Sequence, residues 1–570
     1  MSETAASAAP ASESGSGQLS HRQILAVIFG LLVAMLLASL DQTIVSTAMR
    51  TIADQLQGQT AQAWATTAYL ITATISTPLY GKLSDIYGRK PLYLTAITIF
   101  LIGSLACGLV NSMYQLALGR AVQGLGAGGL MSLALAIIAD ILPPRERSKY
   151  QGYFMAVFGI SSVVGPVAGG FFAGMDTFLG IDGWRWVFLV NLPLGVVALI
   201  VVTRVLNLPH RRVDHRVDYL GAASLTLGMV PLLIVAEQGR EWGWTSTKTL
   251  GLSAVGVIGL VLFVLAERRM GDEALLPLRL FRRPVFSLGN LLNFIVGLGM
   301  FGGLMSLPLY LQIVKGASPT EAGLQMLPLT FGIMLATGIG GQLIAKTGRY
   351  KIQAGAGVGV MSVSLWLCSR LTVDTPLWQV MLLMVLLGIG LGLCMQTLVL
   401  AIQNDAPAKD MGVATASVTF FRQMGGTVGT AVFLSILFNL VGERIVDAFR
   451  RAAQTPEFLS ALQDPAVLSN PANQPVVGML QNGGADGGAA TPSVDDTSFL
   501  NELDERLARP FLEGFASSMS TVFLTGAAVM AVAFVLVWFV REVPLSNRSG
   551  LQRQLDEDGE SGQSEHVAVS

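Results

Sequence analysis

Uninterrupted apolar blocks of about twenty residues recur along the whole chain, and this recurrence limits its fold more than any other feature. Coiled at about 1.5 Å per residue, one such block covers about 30 Å of hydrocarbon. About fourteen blocks meet that length. Their centres lie near Met35, Ile75, Ile99, Leu130, Val164, Val197, Val230, Ile258, Gly299, Ile333, Val363, Ile389, Gly429 and Met530. Lipid offers no partner to a backbone N–H or C=O, so each block must satisfy its own by forming a helix. The expected fold is therefore an all-α polytopic membrane protein. Only 13% of the residues are charged, against roughly 25% in soluble domains.

A polar loop, Gly81-Lys82-Leu83-Ser84-Asp85-Ile86-Tyr87-Gly88-Arg89-Lys90, stands between two of these blocks. A degraded copy runs from Gly341 to Lys351, with Gly341, Gly348 and Arg349 at matching places. An internal repeat of this kind predicts two related halves, and related halves in a membrane commonly enclose a substrate site. The spacing between copies exceeds one six-span half, which leaves room for two inserted helices. The expected organisation is a tail 1–20, a six-helix bundle 21–206, a linker 207–217, an inserted pair 218–270, a linker 271–285, a second six-helix bundle 286–541 and a tail 542–570.

Basic residues fall in alternate connections: Arg89 and Lys90; Arg145, Arg147 and Lys149; Arg211, Arg212 and Arg216; Arg268 to Arg283; Lys346, Arg349 and Lys351. The positive-inside bias places those connections, and both termini, in the cytoplasm of a bacterial-type inner membrane. With charge segregated this way, the formal net charge of −1 gives no reason to expect nucleic acid as a partner. Cys107, Cys368 and Cys394 lie in separate apolar blocks, and His21, His210, His215 and His566 lie outside them. No disulfide framework, metal centre or haem site is expected, and no cofactor. Met1 to Gly17 and Leu555 to Glu565 read as disordered polar tails.

Three ionisable residues interrupt the blocks: Asp41, Arg120 and Arg422. A charge near the bilayer centre costs at least ~3 kcal/mol, which makes each a functional candidate. Asp41 and Arg120 come out at similar depth on antiparallel spans, so they either neutralise each other or face one aqueous cavity. A carboxylate that meets water from alternating sides can carry one proton per cycle. Arg120 cannot release its own proton and would bias a carboxylate or bind an anion. The plainer alternative for all three is a charge satisfied by helix packing. Arg422 has no evident partner; with Gln423 and Gln123 it is a candidate for lining a substrate cavity.

The fifth block carries Gly159, Gly165, Pro166, Gly169 and Gly170. Proline removes a backbone donor and bends a helix, while the glycines admit a close neighbour. Either ordinary packing or control of rocking follows. Gly124, Gly126 and Gly129 satisfy a G-x-G-x-x-G pattern, but no strand precedes them and a dinucleotide site is excluded. No Walker loop, zincin motif or nucleophile–base set is visible, so the chain is not expected to be an enzyme. The insertion 443–510 is unusually long for a connection. Glu443 to Leu462 would extend the thirteenth span and Ser498 to Phe515 would lead into the last, with a tip at Asn482 to Gly488. It is either a two-legged projection, a candidate surface for an extracytoplasmic partner, or a tolerated floppy insertion.

Taken together these motifs resemble the major facilitator superfamily, in its fourteen-span drug:proton antiporter branch. The loop Gly81 to Lys90 is similar to the family hallmark, with Ile86 where a basic residue is usual. Leu116 to Gly124 resembles the span-four motif, Gly159 to Gly170 the antiporter motif, and Leu40 to Val45 the branch's span-one motif. Ser46 to Arg50 departs from the usual ending of that motif, and Trp184 to Pro193 is also characteristic. The resemblance implies export of hydrophobic or amphipathic compounds, driven by protons through alternating access. It implies that Asp41 binds the proton and Arg120 modulates it. It also implies that Gly81, Asp85, Gly88, Arg89, Lys90 and Arg349 serve a conformational lock, asymmetric because Ala345 replaces the second aspartate. Relatives with added external elements handle lipids, so export of a lipid or cell-envelope component is the alternative. A transport-dead sensor or channel is a third reading.

Overall fold

The computed structural model describes residues 21–58, 61–206, 217–481, 500, 503–546, 548, 549 and 552. The expected tails, the linker arginines 211, 212 and 216, and the glycine-rich tip lie outside them. Helices are α1 (His21–Gln55), α2 (Gln62–Tyr87), α3 (Arg89–Gly108), α4 (Met113–Ile141), α5 (Pro144–Ala173), α6 (Trp186–Leu189) and α7 (Asn191–Val205). The inserted pair is α8 (Tyr219–Trp242) and α9 (Thr247–Met270). Then come α10 (Pro284–Leu309), α11 (Pro319–Gln325), α12 (Leu327–Thr347), α13 (Lys351–Cys368), α14 (Leu377–Asp405) and α15 (Met411–Ala452). The short helices α16 (Pro456–Ala461), α17 (Pro465–Ser469) and α18 (Gln474–Gln481) precede α19 (Glu505–Val537). A two-stranded hairpin, β1 (Thr177–Phe178) and β2 (Ile181–Asp182), follows α5.

Among the described residues thirteen helices are long and apolar enough to cross a membrane, and α2 is not among them. Its sequence is rich in Thr and Ser, and it is shielded on several sides by α4, α15 and α8. Thr72, Thr74 and Thr77 donate their hydroxyls back to backbone carbonyls of their own helix, which makes such residues tolerable in a buried span. By contrast α9 packs chiefly on α8 and leaves Leu250, Val257, Ile258, Val261 and Leu265 exposed, as a lipid-facing helix should.

Local chemistry sets the boundaries. Gly88 sits between α2 and α3 at φ 94°, where an L side chain would be strained, so the two helices reverse within a single residue. Ser112, Asp218 and Ser246 cap the N-termini of α4, α8 and α9 by accepting from the third N–H onward. Ser318 and Glu321 form a reciprocal capping box on α11. Leu179 and Gly180, both at positive φ, make the tight turn of the hairpin.

Buried apolar residues gather into separate cores. Two belong to α1–α7, built around Ile28, Phe100 and Leu133 and around Ile44, Cys107 and Trp184. A larger one belongs to α10–α19, around Val296, Leu365, Phe433 and Met530. A smaller seam cluster joins Ile71 and Ile75 of α2, Leu225 and Met229 of α8, and Phe420 of α15.

The described part of the insertion is folded, and differently from expectation. α15 runs straight to Ala452 but stops there: Pro456 starts α16 afresh, so Glu443 to Leu462 is not one helix. α19 begins at Glu505, capped by Asp504, not at Ser498. Phe458, Val467, Val476, Leu503 and Leu507 continue the large core outward, against Phe449 and Phe511.

Candidate functional site

The site grows from Asp41, midway along α1 and fully buried. Arg120, two turns into α4, is 2% exposed, and its Nη1 donates to Asp41 Oδ2 at 2.6 Å. The two charges therefore neutralise each other by direct contact. Gln123, one turn further along α4, bridges them: its Nε2 donates to Asp41 Oδ1 at 2.7 Å and its Oε1 accepts from Arg120 at 2.8 Å. Gln123 thus belongs to the buried network and is not an open cavity residue.

Two members were not anticipated. Asn191, the first residue of α7, donates Nδ2 to Asp41 Oδ1 at 2.8 Å and to Ser104 Oγ at 2.9 Å. Ser104 of α3 accepts from Gln123 at 3.3 Å and donates its hydroxyl to the Phe188 carbonyl at 2.9 Å. The signal was an amide and a hydroxyl inside apolar blocks, since a buried polar group without a partner is costly. The Arg120 guanidinium also lies over the Tyr69 ring, 4.1 Å from its centroid, a cation–π contact that α2 supplies. Asn191 Oδ1 and Arg120 Nε are buried without hydrogen-bond partners.

The close approach of α3 and α4 rests on Gly103, where an added Cβ would stand 2.4 Å from the Gln123 backbone nitrogen. α1 and α5 approach likewise at Gly165, whose Cβ would lie 2.0 Å from Thr43 Oγ1, and at Gly169, against the Ile44 carbonyl. Thr43 Oγ1 reaches across to the Ser161 carbonyl at 3.0 Å. Gly159 instead faces Met334 and Thr330 of α12. Gly170 meets nothing within 4 Å, so it takes no part in this packing, and Pro166 lies within α5, its Cγ 3.9 Å from where a Cβ on Gly323 would stand.

At the basic end the hallmark loop grips α15. Asp85 Oδ1 and Oδ2 accept from the Gly412 and Val413 N–H groups, both at 3.0 Å. Arg89 pairs with Asp85 at 2.6 Å and with Asp140 at 2.7 Å. Gly81 lets α15 approach, since its Cβ would fall 2.5 Å from Ala416 Cβ. Lys90 points elsewhere, to the Thr203 carbonyl of α7 at 2.7 Å. Arg147, seen in sequence only as a loop charge, donates to Gln403 of α14 and to the Ala139 and Leu142 carbonyls.

The degraded copy departs from its expected part in the lock. Arg349 is exposed, and among the described residues its side chain makes no ion pair. Gly348 ends α12 at φ 70°. The following Tyr350 and Lys351 bind the segment after α19: both N–H groups donate to Glu542, and the Tyr350 hydroxyl accepts from Val543. Arg422 is half-buried in α15 with no acidic partner among the described residues, and the neighbouring Gln423 Oε1 is buried and unbonded. Neither is brought to the Asp41 network.

The comparisons agree with this architecture. Residues 31–430 match the sequence profile of the Major Facilitator Superfamily. The chain is 36% identical to an uncharacterised MFS-type transporter of Mycobacterium tuberculosis, over 92% of this chain and 69% of that protein. It is 34% identical to the multidrug transporter protein MdtP of Bacillus subtilis, over 94% and 96%. It is 41% identical to a tetracycline resistance determinant of Streptomyces rimosus, over 57% and 92%. Its fold resembles the proton:xylose symporter XylE, with a TM-score of 0.57 at 14% identity, covering 94% of this chain and 99% of that one. The buried acid, the clasp at the basic end and these relatives converge: the chain belongs to the Major Facilitator Superfamily and is a multi-pass membrane transporter.

Proposed function

We propose that this transporter exports hydrophobic or amphipathic compounds in exchange for protons, by alternating access across a bacterial-type cytoplasmic membrane with both termini inside. One observation carries the reading: a fully buried carboxylate, Asp41, whose only charged partner among the described residues is an arginine that cannot give up its proton. Protonating Asp41 cancels the ion pair and leaves Arg120 without its counter-charge. Asn191 and Gln123 both donate to Asp41 Oδ1, which favours the charged carboxylate while the pair is intact. Substrate on its way out would favour release of that proton and restore the pair. The clasp of Asp85 and Arg147 on α15 and α14 corresponds to a transporter shut on its cytoplasmic side. Names of relatives, a multidrug transporter and a tetracycline resistance determinant, support drug-like cargo. The half-buried Arg422 and Gln423 remain the best candidates for touching it. In everted vesicles, substrate addition should release protons, and Asp41→Asn should abolish that release; unchanged coupling would reject Asp41 as the carrier.

A second reading, export of a lipid or envelope component, is favoured by the insertion, whose apolar residues continue the transporter's own core. Deleting 465–492 should then impair lipid export more than resistance to small cations. Equal impairment would remove the case for lipid.

A further inference from the structure

Two acidic residues of the inserted helix pair take no part in the machinery above. Asp218 precedes α8 and is 3% exposed; its Oδ1 accepts from the Gly221 N–H at 2.6 Å. Glu267 lies in the last turn of α9 and is 1% exposed; its Oε2 accepts from the Leu276 N–H at 2.9 Å. The other oxygen of each, Asp218 Oδ2 and Glu267 Oε1, is buried without a hydrogen-bond partner among the described residues. These two oxygens converge on one spot. A Cβ on Gly221 would lie 2.3 Å from Asp218 Oδ2 and 2.9 Å from Glu267 Oε1, so their separation cannot exceed the sum of those distances.

Among the described residues, no ion pair is made by either carboxylate. Lys82 of α2 is the cation within reach of Glu267, and it also faces Asp85 and Asp410 while donating to the Asp272 carbonyl at 3.1 Å. Arg279 is held by Asp272 at 2.7 Å and by Asp410 at 2.8 Å. Arg268 and Arg282 line a neighbouring cavity of about 530 Å³ with Glu267, Asp272 and Arg279. Two carboxylates crowded out of water repel, and one shared proton removes that repulsion. It also turns one unbonded oxygen into a donor and leaves the other as its acceptor, satisfying both at once.

We propose that Asp218 and Glu267 form a second proton-binding site, which holds one proton between Asp218 Oδ2 and Glu267 Oε1. Its position ties it to the clasp. α8 packs on α2 and α15 through the seam cluster, and Lys82 belongs to the hallmark loop. Loss of the proton places a second buried negative charge beside Lys82 and strengthens the attraction between the inserted pair and α2. A calcium ion takes six to eight oxygens, and among the described side chains only these two carboxylate oxygens stand unused here, which favours a proton.

Infrared titration of the full-length protein in nanodiscs, without transport substrate, tests this independently of any antiport. A protonated-carboxyl band equivalent to one group per chain should be present at neutral pH. It should vanish in Asp218→Asn and in Glu267→Gln, each of which supplies an amide N–H to the remaining carboxylate and so preserves the fold. It should persist in Asp41→Asn. Persistence of the full band in both site variants, or its loss in Asp41→Asn alone, would overturn the proposal. So would its displacement by added sodium or calcium, which would make the site a cation site.

Discussion

Asp85 and Gly412 meet across the seam of the molecule: the Asp85 carboxylate accepts from the Gly412 N–H at 3.0 Å, at the second residue of α15. The first N–H groups of a helix lack partners within it and carry the positive end of its dipole, so a carboxylate there is both a cap and a counter-charge. Gly412 has no room for a side chain, because its Cβ would lie 2.5 Å from Asp85 Oδ1. The contact is specific to this docked arrangement of α2 and α15.

Asp85→Ala should therefore release the basic end. Hydrogen bonds to a charged group contribute about 1.5–3 kcal/mol, so the clasped state should lose roughly tenfold or more in population. Spin-label distances between the basic ends of α2 and α15 should broaden towards longer values. An unchanged distribution would show that the clasp does not hold this end shut.

Breaking the Asp41–Arg120 pair from one side should be worse than removing both charges. Arg120→Ala leaves a buried, uncompensated carboxylate, a change that costs about 3–5 kcal/mol in such settings. Asp41→Asn combined with Arg120→Gln removes both charges and should unfold at a higher temperature than Arg120→Ala. Thermal unfolding in detergent decides the order, and the reverse order would contradict the ion pair.

Two glycines of α5 should respond oppositely to the same substitution. Gly165→Ala forces a methyl onto Thr43 and displaces α1, with an overpacking cost of typically 1–3 kcal/mol. Gly170→Ala meets open space and should leave stability and drug resistance unchanged. Parallel resistance and melting measurements separate the two; equal effects would argue against the α1–α5 contact.

The insertion between α15 and α19 should weaken in acid. Arg506 donates to Asp464 Oδ2 at 3.1 Å and to Asp504 Oδ1 at 3.0 Å, and these hydrogen bonds hold both carboxyls below their ordinary range. A carboxyl whose folded pKa is lowered stabilises the fold above its unfolded value, near about 4, and loses that contribution as pH falls through the folded value. Hydrogen-exchange protection factors in α16–α18, corrected for the intrinsic pH dependence of exchange, should thus stay constant from neutral pH to about 5 and fall below about 4. Arg506→Gln should flatten the response; a profile identical to the parent would rule out this tie.

Much of this was legible because lipid is an unforgiving solvent. Asp41 and Arg120 stood out as charges that hydrocarbon penalises, and equal depth on antiparallel spans was enough to suggest that they meet. Asn191 and Ser104 were missed because a lone amide or hydroxyl in an apolar block costs less and so signals less. Arg349 misled for another reason: the second loop keeps the glycine that ends its helix, while its arginine faces outward and the adjacent Tyr350 does the binding. Spacing records a shared ancestry of shape, whereas partners are fixed by what the opposite helix presents. The break before Pro456 was hidden because apolar residues continue with helical spacing on both sides of it.

One consequence follows from the length of α15. Its 42 residues span about 63 Å, far more than the bilayer needs, with the Asp85 clasp at one tip and the α16–α18 cap beside the other. A rod of that length behaves as a tiller: a swing of about 5° about its middle carries each tip by about 3 Å in opposite senses. A binder that pins the α16–α18 cap would therefore brake the opposite, clasped end without ever entering the membrane.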